Sequence, residues 1–147
     1  MRIEEIDQEA ADIDWFAMDD AGHIIHFASA GGTLPESVAA SQEALLELHK
    51  YFLTVAETAP TGAIRIEIQD TKGADYQSFV RYALRGLFSF DKMLLNDHSD
   101  TRYHLVARPL RPLTVAELPT PLVELLSRTR LPGSVAEQTA LDVATIA

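Results

Sequence analysis

Asp12-Ile13-Asp14-Trp15-Phe16-Ala17-Met18, then Asp19-Asp20-Ala21-Gly22, then His23-Ile24-Ile25-His26-Phe27-Ala28-Ser29, is the stretch that decides the fold. Both flanks alternate. Ile13, Trp15 and Ala17 point one way, and Asp14, Phe16 and Met18 the other. Ile25 and Phe27 oppose Ile24, His26 and Ala28. Asp and Gly tolerate the positive φ that tight turns demand, so Asp19 to Gly22 reads as the turn of a β-hairpin. Trp15 is expected to anchor the sheet to the first long helix.

Upstream, residues 1–11 form a polar lead-in with about one helical turn. Downstream, Thr33-Leu34-Pro35-Glu36 has the make-up of a capping box and starts a helix expected from about Leu34 to Glu57. Its apolar face carries Val38, Leu45, Leu46, His49, Phe52, Leu53 and Ala56. Ala63 to Gln69 alternates cleanly, which predicts a strand with one wet face. Asp75 to Arg85 repeats Tyr76, Phe79, Val80, Ala83 and Leu84 at helical spacing, and Gly86 is the expected residue past its end. Leu87 to Phe90 and Arg102 to Arg108 read as strands, and Pro121 to Arg128 as a short helix. The tail from 131 to 147 is either one more strand, near Thr139 to Ile146, or loose.

The order ββ-α-β-α-ββ-α predicts a single α+β domain over residues 1–147. Its sheet is antiparallel or mixed, of about five strands, with one long and two shorter helices packed on it. Regular βαβα alternation is missing, which disfavours a dinucleotide-binding fold.

Composition narrows the function classes. At 147 residues, 47% of them hydrophobic and 23% charged, the chain can bury a conventional core. With no cysteine it has neither disulfides nor thiolate chemistry, which fits a reducing cytoplasm. The acidic N-terminus is unlike a signal peptide, and no apolar run approaches a membrane span. A formal charge of −10, from 22 acids and 12 bases, disfavours nucleic acid as a partner. It fits simple solubility, or complementarity to a basic protein.

The chemistry-bearing residues gather in the hairpin. Asp12, Asp14, Asp19 and Asp20 form the densest acidic group, a candidate partner surface. Asp12-Ile13-Asp14 resembles the start of a calcium loop, but Ala17 and His23 stand where that loop needs Gly and Glu. His23 and His26 would fall on opposite faces of a strand, so they do not chelate a metal together. Gly31-Gly32-Thr33 matches no phosphate-binding loop, and no serine sits in a nucleophile-elbow motif. No cofactor, metal site or catalytic residue is therefore assigned. If a cleft exists between the sheet and the long helix, Trp15, His26, Tyr76 and Tyr103 are its candidate lining.

The pattern Asp-x-Asp-Trp-Phe-x-x-Asp-x-x-Gly-x-Ile-x-x-Phe-x-Ser-x-Gly, from Asp12 to Gly31, resembles a group of small uncharacterised bacterial α+β proteins. Leu34-Pro35, Gly86 to Asp91, Tyr103 to Pro109 and Leu118-Pro119 extend the resemblance to about residue 119. Similar small acidic proteins serve as immunity proteins of bacterial toxin systems. The resemblance thus implies a non-enzymatic protein that works by binding another protein, as a toxin-neutralising factor does. Two further readings stay open: a small-ligand-binding domain or small enzyme using the sheet–helix cleft, and self-association through an edge strand or apolar face.

Overall fold

The hairpin forms, and its loop is one residue shorter than the sequence suggests. In the computed structural model, which describes residues 1–57, 65–66, 77–94 and 97–146, β1 (Asp14–Asp19) pairs antiparallel with β2 (Ile24–Ala28). The Asp19 amide donates to His23 O, so only Asp20, Ala21 and Gly22 lie outside the ladder. Gly22 holds φ +85°, and its amide donates to Asp19 O. This is the three-residue hairpin loop that needs a left-handed residue at its last position. The register that follows pairs Trp15 with Phe27 and Phe16 with His26.

The rest of the sheet grows from both sides of this pair. On one side β2 pairs in parallel with β4 (Phe88–Lys92), which pairs antiparallel with β5 (Arg102–Arg108). Beyond β5 lie β3 (Arg65–Ile66) at one end and β7 (Ala140–Asp142) at the other. On the other side β1 pairs in parallel with β6 (Arg130–Leu131). The result is a mixed, curled sheet in the order β3-β5-β4-β2-β1-β6, with β7 added beside β5. The fold is α+β in a single domain, as expected. The two-residue β6 carries no periodicity that a sequence can show. Of the expected strand Ala63–Gln69 only Arg65–Ile66 is described; the remainder lies outside the described residues.

Both faces of the sheet are buried. One face carries Trp15, Phe27, Phe90 and Tyr103, all 0–1% exposed. Trp15 stacks on Phe27 at 4.1 Å, and Tyr103 meets both rings edge-on at 5.9 and 5.0 Å. The chain from β6 to β7 crosses from one end of the sheet to the other, and its Val135 is fully buried. Arg108 sits over the Phe88 ring and donates to Ala136 O on that crossing.

The other face carries Phe16 and His26 and receives the helices. Phe16 meets Phe52 of α3 (Gln42–Thr54) at 4.9 Å, and Tyr82 of α4 (Gln77–Leu84) stacks on His26 at 3.9 Å. Phe16, not Trp15, is therefore the residue that joins the hairpin to the long helix. α4 ends as predicted. Leu87 N donates to Tyr82 O and Gly86 N to Ala83 O, with Gly86 at φ +99°.

The long helix begins later than the sequence suggests. Thr33 does not cap it; its amide and hydroxyl both donate to His98 O. The Leu34 amide donates instead to Gln8 Oε1 of α1 (Glu5–Ala10). A short α2 (Glu36–Ala39) follows, and Ser41 then caps α3 by accepting from the Ala44 amide at 3.1 Å. Restarting at Gln42 buries Leu45, Leu48 and Phe52 and leaves Leu46 51% exposed, against the expectation that Leu46 is core. The third expected helix is α5 (Thr120–Leu126). Among the described residues, no helix is long and apolar enough to cross a membrane.

Removing the Trp15 ring would leave a cavity between Phe27 and Tyr103. Trp15→Ala should cost about 3–5 kcal/mol in denaturant unfolding. A loss under about 1 kcal/mol would show that the indole is not packed as described.

Candidate functional site

The four hairpin aspartates separate into different tasks. Asp19 is fully buried. Its Oδ1 accepts from the Ala21 and His23 amides at 2.9 and 2.8 Å. Its Oδ2 accepts from the Val135 amide at 2.7 Å and lies 3.0 Å from His23 Nδ1. Asp20 Oδ2 accepts from the Gly133 amide at 2.8 Å, and the Asp20 amide donates to Gly133 O. Asp12 Oδ1 accepts from the Ala30 amide at 2.9 Å. Asp19 and Asp20 thus hold the β6–β7 crossing onto the hairpin turn, and Asp12 fixes the exit from β2. Buried Asp19 is no part of a partner surface, because its oxygens are filled by backbone donors.

Asp14 is different. Its side chain is 33% exposed at the seam between β1 and α3. Oδ1 lies 2.8 Å from His26 Nε2; Oδ2 faces Tyr82 OH at 3.5 Å and His49 Nε2 at 3.7 Å. His26 Nδ1 lies 2.6 Å from Ser89 Oγ, directly across the β2–β4 pair. A carboxylate only accepts, so the neutral imidazole carries its proton on Nε2, and Nδ1 accepts from the Ser89 hydroxyl. The connectivity is that of a Ser–His–Asp relay, but the exposures are reversed. Ser89 and His26 are fully buried, and Asp14 is the member that reaches solvent. No substrate reaches Ser89, so the arrangement orients a carboxylate rather than activating a nucleophile.

Burial disfavours the charged forms of both partners. For His26 burial dominates and lowers its pKa, against the pull of Asp14. For Asp14 burial pushes upward, but the His26 hydrogen bond, with His49 and Tyr82 beside it, brings the carboxyl below its usual range. Two strands away on the same face, Asp91 lies beyond Ala28 and opposite His104. Burial, with the charge of Asp12 adding to it, pushes Asp91 up to about 6, although the Lys92 amide donates to it. Among the described residues, no group of three His, Asp or Glu side chains is placed to hold a metal ion.

The other expected lining residues do not share a cleft. Trp15 and Tyr103 are buried on the face opposite His26, because the observed register sets Trp15 against Phe27. Tyr76 lies outside the described residues.

Sequence reasoning passed over the N-terminal segment. Glu4, Glu5, Asp7, Glu9 and Asp12 are all exposed, five carboxylates within nine residues. The nearby Arg2 pairs with Glu36. Glu4, Glu5, Asp7 and Glu9 make no ion pair with any described residue. Beside them runs a groove of about 400 Å³ lined by Met1, Ile3, Ala11, Ile13, Leu45 and Leu46, with Arg2, Glu4, Asp7 and Gln42 completing it. The density of acids in Glu4 to Asp12 was the visible signal; the apolar half comes from α3 and could not be read locally. Comparison with protein-family models, curated proteins and solved structures found no match.

The buried titratable groups make a pH prediction with opposed signs. His26 stays neutral in the fold, so its contribution is full above about pH 6.5 and is lost as the unfolded chain takes the proton below that. Asp91 holds its proton to about pH 6 when folded, so ionising it costs stability as pH rises from about 4 to 6. Asp91→Asn should therefore melt higher than wild type at pH 7, with the gain vanishing near pH 4. Equal melting curves at pH 7 would contradict this placement of Asp91.

Proposed function

We propose that this chain works without catalysis, by binding another protein through its acidic N-terminal face. The observation that carries the reading is the exposed run Glu4, Glu5, Asp7 and Glu9, unpaired by any described residue. Like charges this dense repel one another and gain from a basic counterpart. Toxin neutralisation is the finer form of the reading, and the resemblance of the Asp12–Gly31 pattern to immunity-type proteins supports it. Affinity capture from the native host with tagged wild type and with a Glu4/Glu5/Asp7/Glu9→Gln variant tests it. A basic protein retained by wild type and lost by the variant is expected. Persistent failure to recover a partner, or equal recovery by both chains, overturns it.

A second reading rests on Asp14. A carboxylate oriented by His26, Tyr82 and His49 at the seam of sheet and long helix suits recognition of a small ligand's donor group. A thermal-shift screen of nucleotides and metabolites should give a hit that Asp14→Asn abolishes. A ligand at 100 times its dissociation constant adds about 2.7 kcal/mol. A flat screen would remove this reading.

A further inference from the structure

The groove beside the acidic run says what kind of partner segment fits. Its inner lining is Ile3 and Leu45, 8% and 9% exposed, and its outer lining Met1 and Leu46, 79% and 51% exposed. Backbone bonds hold it open: Ile3 N donates to Ala39 O, and Gln42 N donates to Met1 O. One side is thus α3 and the other the N-terminal segment pinned to the α2–α3 corner. Among the described residues the lining holds no aromatic ring and no strand. That removes the aromatic shelf a polyproline segment needs and the sheet edge an added strand needs. What remains is insertion of aliphatic side chains from a helix, anchored at i, i+3 and i+4.

Charge fixes the rest of the partner's chemistry. Glu4 and Asp7 line the groove, and Glu5, Glu9 and Asp12 continue the acidic run from it. Among the described residues the guanidinium in the lining is that of Arg2, which is engaged by Glu36 and also feels the charges of Glu4 and Glu5, and Glu43 is engaged by the Met1 amino group. We propose that the groove between the N-terminal segment and α3 docks a basic amphipathic helix of another protein. Leu, Ile or Met side chains enter between Met1, Ile3, Leu45 and Leu46, while Lys or Arg side chains meet Glu4, Asp7 and the acids that follow. This inference rests on the protein-binding reading and narrows it. A second copy of this chain is a poor occupant, because at a formal charge of −10 it brings like charge to an acidic groove.

Fluorescence anisotropy with three synthetic peptides tests it. They are a Leu/Lys peptide with helical period, the same composition scrambled to break that period, and a Leu/Glu peptide of helical period. The periodic Leu/Lys peptide should bind at least tenfold more tightly than the other two. Leu46→Gln, at an exposed helix position, should weaken it about tenfold. Glu4→Lys with Asp7→Lys should weaken it further and remove most of its salt dependence. Glu124→Lys with Glu137→Lys, at exposed acids outside the groove, should leave it unchanged. Equal binding of the scrambled peptide, or indifference to Leu46→Gln, overturns the proposal. So does a dimer of the free chain in sedimentation that Leu46→Gln dissociates. A host protein that needs the acidic run but ignores Leu46→Gln would sink this inference and leave the protein-binding reading standing.

Discussion

The Asp19 carboxylate is the constraint on which the rest of the structure depends. It lies fully buried at the end of β1 and accepts three backbone amides, two from the hairpin turn and one from Val135, with the His23 imidazole beside it. A buried carboxylate without partners would be strongly unfavourable, so these donors must all be present together. Two distant parts of the chain are fixed by one side chain. The loop is held at three residues, and the crossing from β6 to β7 is seated against the sheet. The three-residue loop sets the register, and the register decides which face each aromatic ring occupies. Trp15 then joins Phe27 and Tyr103, while Phe16 and His26 turn toward α3 and α4.

That register is also where reading the sequence stopped being sufficient. Alternation from Ile13 to Met18 and from Ile24 to Ala28 identifies two strands and their faces. A four-residue turn over Asp19 to Gly22 would place Trp15 opposite His26 and on the same face. Including His23 in the ladder shifts the pairing by one residue and sends them to opposite faces. The shift rests on Asp19 bonding the Ala21 and His23 amides and on Gly22 at φ +85°, and alternation of apolar residues does not distinguish a three- from a four-residue loop. The capping box at Thr33 fails for a similar reason. His98 O takes the Thr33 amide and hydroxyl, Gln8 takes the Leu34 amide, and Ser41 takes over as cap. Gly86, by contrast, was legible because a helix end is a local event, and its left-handed φ is as expected.

The candidate site was legible only in part. Four aspartates close in sequence suggest one surface, yet backbone donors occupy Asp19, Asp20 and Asp12, while Asp14 faces His26 and His49. Ser89 joins them through a parallel pairing between β2 and β4 that no hairpin rule predicts. The acids free to meet a partner lie earlier, from Glu4 to Glu9, next to apolar residues that α3 supplies. Function on this account moves off the hairpin. Asp12, Asp19 and Asp20 of the hairpin bond to backbone amides, and Phe16 packs the hairpin against α3.

Site-resolved amide hydrogen exchange tests that inward role most directly. The Val135 amide lies in a connecting segment, where exchange by local fraying is the ordinary outcome. If Asp19 holds the crossing to the hairpin, Val135 exchanges only with global unfolding, as slowly as the amides of Phe27 and Phe90. Exchange of Val135 at the rate of the exposed residues around it would contradict the account, and the hairpin aspartates would again be candidates for a surface function.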